Sequence, residues 1–275
     1  MRDGTDPIVE LANWFHSAPG GYVRAWEQSQ FDAMVGDVFG YNALQLGLPE
    51  LDALRANRMP FKGYVGHQAP EAALAGRWQG CTVALAEELP FESQSIDLLV
   101  LPHTFECTEH PHEVLREVER VLVPEGRVVI SGFNPWSLWG ARSRIPGLDP
   151  WMPQDPAVQV SLARLKDWFK LLSLELDRGR YGCYAPPCRT DRWLGRWAFM
   201  EKAGDRWWPV CGAVYVVSAV KRVAGMRLIG PAWKQKRNRA ARAAQVVVPH
   251  GRAGLPQGPG WPPGPPGMTR YGKDI

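Results

Sequence analysis

The spacing of hydrophobic residues changes several times between Leu89 and Pro135. The runs Ile96–Leu101 and Arg127–Ser131 are rich in Val, Ile and Leu and too short for helices, which predicts two buried strands. Between them, the apolar residues of His112–Leu122 recur on one helical face and the charged residues lie mostly on the other. Pro124–Gly126 ends this helix. Strand, helix and strand together predict a right-handed crossover unit of a parallel sheet.

Similar patterns predict further elements on both sides of this unit. The other predicted strands are Ala43–Leu48, Phe61–Val65, Thr82–Leu85, Leu174–Tyr181 and Ala213–Val220. The other predicted helices begin at Pro7 after a capping Asp6, span about Tyr22–Val38 after a break at Pro19–Gly21, run from a capping Ser161 to about Leu172, and follow a capping Thr190. Strands that alternate with helices predict an α/β fold.

Composition is that of an ordinary soluble globular protein. The chain has 275 residues, of which 45% are hydrophobic and 22% charged, and no apolar run approaches the length of a membrane span. The N-terminus carries early acids and lacks the pattern of a secretory signal. Five cysteines are an odd number and form no CxxC pair. We therefore expect a reduced, cytoplasmic protein.

The net charge of +4 is unevenly distributed. From Ala232 onward the chain holds eight bases and one acid, a net charge of +7, whereas the first 231 residues have a net charge of −3. The Pro/Gly-rich end, Gly254–Gly267, is too poor in apolar residues to form a core. We expect a domain over residues 1–230 and a disordered tail over 231–275. The tail could contact nucleic acid or an anionic membrane, although a solvated tail without a partner is the favoured interpretation.

The crossover unit also carries a family pattern. Its residues are Leu89-Pro90-Phe91, Asp97, His110-Pro111, Leu115-x-Glu117-x-x-Arg120-Val121-Leu122 and Pro124-Glu125-Gly126. This order resembles the second half of a class I S-adenosylmethionine-dependent methyltransferase of the bacterial type 11 kind. The resemblance implies a Rossmann-like seven-stranded sheet, mostly parallel, with an antiparallel pair of C-terminal strands. Helices before the first strand would cover the cofactor, and most of the matching residues would build the scaffold.

The resemblance implies S-adenosylmethionine as cofactor. The family places an acid and then glycines at alternate positions after the first strand, and these positions fall on Gln45, Gly47, Pro49 and Leu51 here. We expect Gln45, Gly47 and Glu87 to contact the cofactor, and Leu89 to lie under the adenine. Gly47 could instead be a simple strand-end glycine, and both interpretations stay open.

Two further polar positions of the family are changed in this chain. After the second strand, where relatives have an acid that accepts the ribose hydroxyls, the sequence is Gly66-His67-Gln68. After the third strand, Leu85 stands where relatives often have an Asp for the adenine amino group. The cofactor loop is therefore degenerate relative to the family.

His103 is the candidate catalytic residue. It ends the fourth strand, at the edge where ligands bind in open α/β sheets, and a histidine there could take a proton from a hydroxyl or amine. A helix-capping or core histidine is the alternative interpretation. The set His103, Glu106, His110 and His112 lacks the spacing of metal ligands, so no metal site is expected.

A tryptophan-rich loop follows the fifth strand. Asn134-Pro135-Trp136 resembles a motif of amino-methylating enzymes, but that motif follows the fourth strand. We interpret it as a lid or substrate-pocket loop, in which Trp136, Trp139 and Trp151 offer flat apolar surface. Packing of these rings against the body is the alternative.

Together these features predict methyl transfer from S-adenosylmethionine to a small or hydrophobic molecule. The competing hypothesis is a non-catalytic binding or regulatory protein on a methyltransferase scaffold, which the missing glycines and acids favour. A third hypothesis, an RNA-binding or RNA-modifying protein, depends on the tail alone.

Overall fold

A seven-stranded sheet organises the protein, whose computed structural model describes residues 7–145, 151–152, 158–188 and 190–222. The sheet order is β3-β2-β1-β4-β5-β7-β6. Its strands are β1 Asn42–Leu46, β2 Phe61–Gly66, β3 Gly80–Val83, β4 Ile96–Pro102, β5 Leu122–Phe133, β6 Leu174–Gly182 and β7 Val214–Lys221. The pairs from β3 to β5 are parallel and β7 is antiparallel to both of its neighbours. The predicted fold is confirmed, while the predicted tail lies outside the described residues.

Helices cover both faces of the sheet. They are α1 Pro7–Phe15, α2 Ala18–Val35, α3 Ala72–Ala75, α4 Pro111–Val121, α5 Leu138–Ser143, α6 Leu162–Leu171, α7 Asp191–Arg196 and α8 Phe199–Trp207, with a 3₁₀ turn at Thr104–Glu106. One hydrophobic cluster joins α1, α2 and α5 to one face of the sheet, and a second joins α4 and α6 to the other. The central strands are therefore buried on both faces, as parallel strands require.

The start of α2 differs from the prediction. Pro19, Gly20 and Gly21 do not separate two helices but form the first turn of α2, because proline lacks only an amide that a helix start leaves unpaired anyway. Ser17 caps the helix by accepting a hydrogen bond from the Gly20 amide. A Cβ on Gly20 would lie 2.1 Å from the Trp14 carbonyl oxygen, so glycine allows α1 and α2 to approach closely.

Other boundaries differ by smaller amounts. β3 begins two residues before its predicted start, and β5 is extended at both ends to Leu122–Phe133. The single helix predicted after Thr190 is two helices, α7 and α8. Ser161 caps α6 as predicted, since its hydroxyl accepts a hydrogen bond from the Arg164 amide.

The residues that carry the family pattern act as scaffold. Arg120 on α4 donates to the carbonyl oxygens of Leu89 and Phe91, and Glu117 accepts from the Leu89 amide. Asp97 similarly accepts hydrogen bonds from the two amides that precede and begin β1. These side chains fix loop and strand positions and make no contact that points to chemistry.

Candidate functional site

A cleft lies at the carboxyl ends of β1, β2 and β4, under α1. Its volume is about 440 Å³, part of it open to solvent. Its walls are mainly apolar and include Ile8, Leu46, Gly47, Val65, Ala86 and Thr104. This is the edge at which open parallel sheets bind ligands, and we call it the first cleft.

Gln45 organises the loop that follows β1. Its side chain is fully buried, and its Nε2 donates to the carbonyl oxygens of Leu48, at 3.0 Å, and Leu51, at 2.7 Å. Its Oε1 accepts a hydrogen bond from the Ala53 amide. Both ends of the side-chain amide are therefore occupied by hydrogen bonds within the loop, and that Gln45 contacts the cofactor stays a prediction.

Gly47 and Leu48 turn the chain at the bottom of the first cleft. Both have left-handed backbone conformations, with φ of 69° and 47°. A Cβ on Gly47 would approach only Ile8, at 3.9 Å, and both residues line the cleft. Added bulk at Gly47 would therefore occupy ligand space, and the positive φ would strain the backbone of any residue other than glycine.

Glu50 is a candidate site residue that sequence reasoning missed. Its Oε2 is buried without a hydrogen-bond partner among the described residues, and burial raises the pKa of its carboxyl group. Glu50 lines an open cleft that shares Ile8 and His67 with the first cleft. The available signal was its position in the loop after β1, at the end of the strand where the family binds its cofactor.

Glu87 and Leu89, the other residues predicted to contact the cofactor, differ in how they relate to the first cleft. Glu87 accepts a hydrogen bond from the hydroxyl of Thr108, which lines the cleft. Leu89 packs in the hydrophobic cluster beneath α4, while Ala84 and Ala86 from the same loop line the cleft. His67 and Gln68 are exposed where β2 ends.

His103 is held between two carboxylates. Its Nδ1 lies 2.6 Å from Glu106 Oε2 and its Nε2 lies 2.8 Å from Glu27 Oε1, and all three side chains are buried. Burial alone lowers the pKa of His103, but the carboxylates of Glu27 and Glu106 outweigh it and raise the pKa to about 10. The imidazole is therefore a buried cation at neutral pH.

The three side chains hold separate elements together. Glu27 comes from α2, His103 follows β4, and Glu106 also accepts a hydrogen bond from the Phe133 amide at the end of β5. Both ring nitrogens of His103 are occupied, so a substrate meets no free basic nitrogen in this arrangement. That His103 acts as a general base stays a prediction, and the geometry favours a positioning role.

A second cleft adjoins the first. It is wide, about 1240 Å³ with open solvent included, and shares Cys107 and Thr108 with the first cleft. Apolar parts of Phe105, Val160 and Trp168 line it, together with the charged side chains of Glu109 and Arg164. Two ligands bound in the two clefts would meet at Cys107 and Thr108.

The tryptophans of the loop after β5 have different environments. Trp139 and Trp151 are almost fully buried, so packing is confirmed for these two. Trp136 is 75% exposed. Asn134 holds the loop, since its amide group donates to the carbonyl oxygens of Val210 and Gly212. The Asn134 side chain therefore binds the protein's own backbone.

Among the described residues, no group of three or more His, Cys, Asp or Glu side chains is arranged to hold a metal ion. None of the helices in the described ranges is long and apolar enough to cross a bilayer.

Comparison with known proteins assigns the fold. Residues 65–130 match the family described as "Methyltransferase domain". A methyltransferase of Thermotoga maritima, described as a possible histamine N-methyltransferase, aligns with a TM-score of 0.53 over 78% of this chain and 96% of its own, at 15% identity. A chain of a Haloferax volcanii complex that contains the Trm112 methyltransferase activator aligns with a TM-score of 0.55 over 79% and 98%, at 16% identity.

The strand order and the family match agree. The chain has the fold of class I methyltransferases. The Escherichia coli (strain K12) protein described as "Uncharacterized protein YafS" is 38% identical over 158 residues. That alignment spans 56% of this chain and 61% of YafS, less than two thirds of the relative.

The first cleft and the residues beside it offer groups that suit S-adenosylmethionine. The apolar walls of the first cleft suit an adenine ring, and the turn at Gly47 permits a close approach to the backbone. Glu50 supplies an unpartnered carboxylate oxygen beside the cleft. A carboxylate is what the family uses for the ribose hydroxyls, so the residues present fit this cofactor although the usual acid is missing.

Proposed function

We propose that this protein is an S-adenosylmethionine-dependent methyltransferase that acts on a small or hydrophobic molecule. The observation that carries the proposal is the pair of clefts that adjoin at Cys107 and Thr108, at the ligand-binding edge of a methyltransferase sheet. One cleft suits the methyl donor and the other is open for the acceptor.

S-adenosylmethionine, when bound, supplies a methyl group on a positively charged sulfur, which reacts with a correctly aligned nucleophile. The protein's main task is then to bind and orient two molecules rather than to supply strong acid or base catalysis. Gly47 would allow backbone approach, Glu50 would accept from the ribose hydroxyls, and Val65 and Ala86 would contact the adenine.

The acceptor would bind in the second cleft. Phe105, Val160 and Trp168 provide apolar surface there, which suits a hydrophobic molecule and excludes water around it. The Glu27–His103–Glu106 cluster would position the loop after β4, whose residues Cys107 and Thr108 separate the two clefts. The cluster thus supports the reaction site without touching the reacting atoms.

The test is calorimetric titration of the purified protein, freed of carried-over ligand, with S-adenosylmethionine and S-adenosylhomocysteine. We expect binding in the micromolar range. Gly47→Ala should weaken it about tenfold, because the added carbon occupies cleft space and the positive φ of 69° strains the backbone of the loop. Gly76→Ala is the control for adding a methyl group to a glycine that has an ordinary helical conformation, because a Cβ there meets no atom within 4 Å.

The outcomes separate the two hypotheses for the domain. Binding of both ligands that Gly47→Ala weakens and Gly76→Ala does not would support a working cofactor site, and a screen of hydrophobic acceptors would follow. If neither ligand gives heat or raises the melting temperature, the enzyme proposal fails and the non-catalytic scaffold replaces it.

A further inference from the structure

Helix α8 has one face turned inward and one turned to solvent. On the inner face, Glu201 accepts hydrogen bonds from the amides of Cys183 and Tyr184, and Gly204 packs so tightly that a Cβ would lie 2.2 Å from the Tyr184 ring. On the outer face, the exposed residues are Phe199, Lys202, Arg206 and Trp207. Lys202, Arg206 and Trp207 follow Phe199 by three, seven and eight residues, and this spacing places the four side chains on one side of the helix. The outer face therefore combines two aromatic and two basic side chains.

More large apolar side chains surround this face. We define the aromatic edge as the seven residues in this region that are between 52% and 75% exposed: Trp136, Leu138, Trp193, Phe199, Trp207, Trp208 and Val210. The hydrogen bond from Asn134 to the Val210 carbonyl ties the loop of Trp136 to the segment after α8. So many exposed aromatic side chains close together in one region mark an interaction site.

The aromatic edge lies at the same end of the sheet as the two clefts. β5 ends at Phe133 and β6 at Gly182, and the antiparallel β7 begins at Val214. The loops and helices that carry the aromatic edge connect these strand ends. A surface that binds the aromatic edge would therefore lie at the same end of the sheet as the openings of the two clefts.

The exposed charges in these elements are mainly positive. The exposed bases are Arg144, Arg192, Arg196, Lys202 and Arg206. Among the described side chains of α7 and α8, Asp205 is an exposed acid and lies 3.9 Å from Arg180, while Glu201 is directed inward. Arg144 and Arg196 lie 5.8 and 5.6 Å from the ring centroids of Trp136 and Trp193. Such mixed aromatic and basic surface is typical of proteins that bind at the bilayer interface.

We propose that the aromatic edge docks the protein onto an anionic lipid bilayer. Tryptophan and phenylalanine side chains would enter the headgroup region, and the arginines and Lys202 would contact lipid phosphates. The proposal goes beyond methyl transfer, and it would give the second cleft access to hydrophobic molecules dissolved in the membrane. Vesicle binding is measured without S-adenosylmethionine, so the docking proposal and the proposed enzymatic function can fail independently.

The experiment is co-sedimentation of the full-length protein with two kinds of vesicles, phosphatidylcholine alone and phosphatidylcholine mixed equally with phosphatidylglycerol. We expect binding to the anionic vesicles that weakens as salt is raised. The double variant Phe199→Ser/Trp207→Ser should weaken binding to both kinds about tenfold or more. The double variant Lys202→Glu/Arg206→Glu should weaken binding to the anionic vesicles by roughly tenfold and remove the preference for them.

Matched controls come from the opposite end of the sheet. Leu171 is 81% exposed just before β6, and Arg58 is exposed just before β2. Leu171→Ser and Arg58→Glu should bind vesicles as the unmodified protein does. All variants should keep the melting temperature of the unmodified protein, which shows that they are folded.

Two results would overturn the docking proposal. One is the absence of binding to anionic vesicles, whether or not the protein then binds single-stranded RNA. The other is unchanged binding of Phe199→Ser/Trp207→Ser, since the basic tail rather than the aromatic edge would then account for the attachment.

Discussion

Nε2 of His103 lies 2.8 Å from Oε1 of Glu27, although 76 residues separate them in the chain. Neither side chain is exposed, and the contact joins α2 to the loop after β4. A buried charge pair of this kind contributes to the specific arrangement of elements, and removing one partner leaves an uncompensated buried charge. Helix α2 is thus fixed to the loop that separates the two clefts.

Replacing His103 should destabilise the fold substantially. We expect His103→Gln to lower the free energy of unfolding by about 3–5 kcal/mol at neutral pH, the range for a broken buried ion pair. His110→Gln is the control, because His110 is exposed. Urea denaturation at pH 7 measures both. Equal stability of the two variants would contradict the assignment of a buried charged cluster.

The stability that His103 provides should depend on pH in the alkaline range. The pKa of His103 is raised from 6.5 to about 10 in the folded protein, so the folded state holds the proton more tightly than the unfolded state. The contribution is fully present below about pH 6.5 and is lost as pH rises toward 10, by about 1.4 kcal/mol per pH unit. The difference between the unmodified protein and His103→Gln should shrink accordingly.

A milder variant tests the same relationship if His103→Gln does not fold. Glu27→Gln keeps the size of the side chain and removes one of the charges that raise the pKa of His103. The alkaline loss of stability should then still begin near pH 6.5, but it should end at a lower pH and be smaller in total than in the unmodified protein. An unchanged pH profile would show that Glu27 does not influence this proton.

The family's usual acid should be harmful at position 45. In Gln45→Glu, a carboxylate would face the carbonyl oxygens of Gly47, Leu48 and Leu51, which the amide nitrogen now contacts as a donor. We expect the free energy of unfolding to fall by about 2–4 kcal/mol, because a buried hydrogen-bond network is broken and the carbonyl oxygens lose their donor. Weaker binding of S-adenosylhomocysteine should accompany it.

Gln68→Glu provides the comparison for this substitution. The same chemical change occurs there at an exposed side chain that ends the second strand. It should leave stability within about 0.5 kcal/mol of the unmodified protein. If Gln45→Glu is equally tolerated, the β1 loop does not have the hydrogen bonds described above.

Local patterns were sufficient to predict most of the sheet. The strands from Ile96 and Leu174 and the helix from Pro111 follow their hydrophobic periods closely, since buried strands and amphipathic helices leave a clear pattern. The start of α2 was mispredicted because a proline and two glycines are compatible with both a break and a first helical turn. Packing against Trp14 decides between them, and a local pattern does not contain it.

The candidate site was harder to predict than the fold. Gly47 was found at the first cleft because its role depends on the local backbone. The contacts of Gln45 and His103 depend on partners far along the chain, so their environments could not be derived from position alone. One signal was available for Glu27, which shares its helical face with the buried Val23 and Phe31. An acid on such a face requires a buried partner.

Arg120 should be important for the loop that lines the first cleft. Arg120→Met keeps the apolar stem and removes the hydrogen bonds to the carbonyl oxygens of Leu89 and Phe91. We expect the free energy of unfolding to fall by about 1–2 kcal/mol. This is less than for a fully buried charged donor, because the Arg120 side chain is partly exposed. Arg116→Met, on the exposed face of the same helix, should have little effect. Thermal unfolding distinguishes the two, and equal losses would exclude the proposed role.

Glu50 should show opposite effects on stability and on binding. Burial raises the pKa of the Glu50 carboxyl group in the folded protein. The ionised carboxylate therefore opposes folding once the pH rises above the ordinary pKa of a glutamate in the unfolded chain. Glu50→Gln should for this reason keep or raise the melting temperature at pH 7. The same variant should weaken S-adenosylhomocysteine about tenfold or more, since a hydrogen bond to a charged acceptor is lost. Glu71→Gln, at the same open cleft but exposed, should change neither quantity much. A stable Glu50→Gln protein with unchanged affinity would remove Glu50 from the cofactor site and leave Gly47 and the apolar walls to hold the ligand.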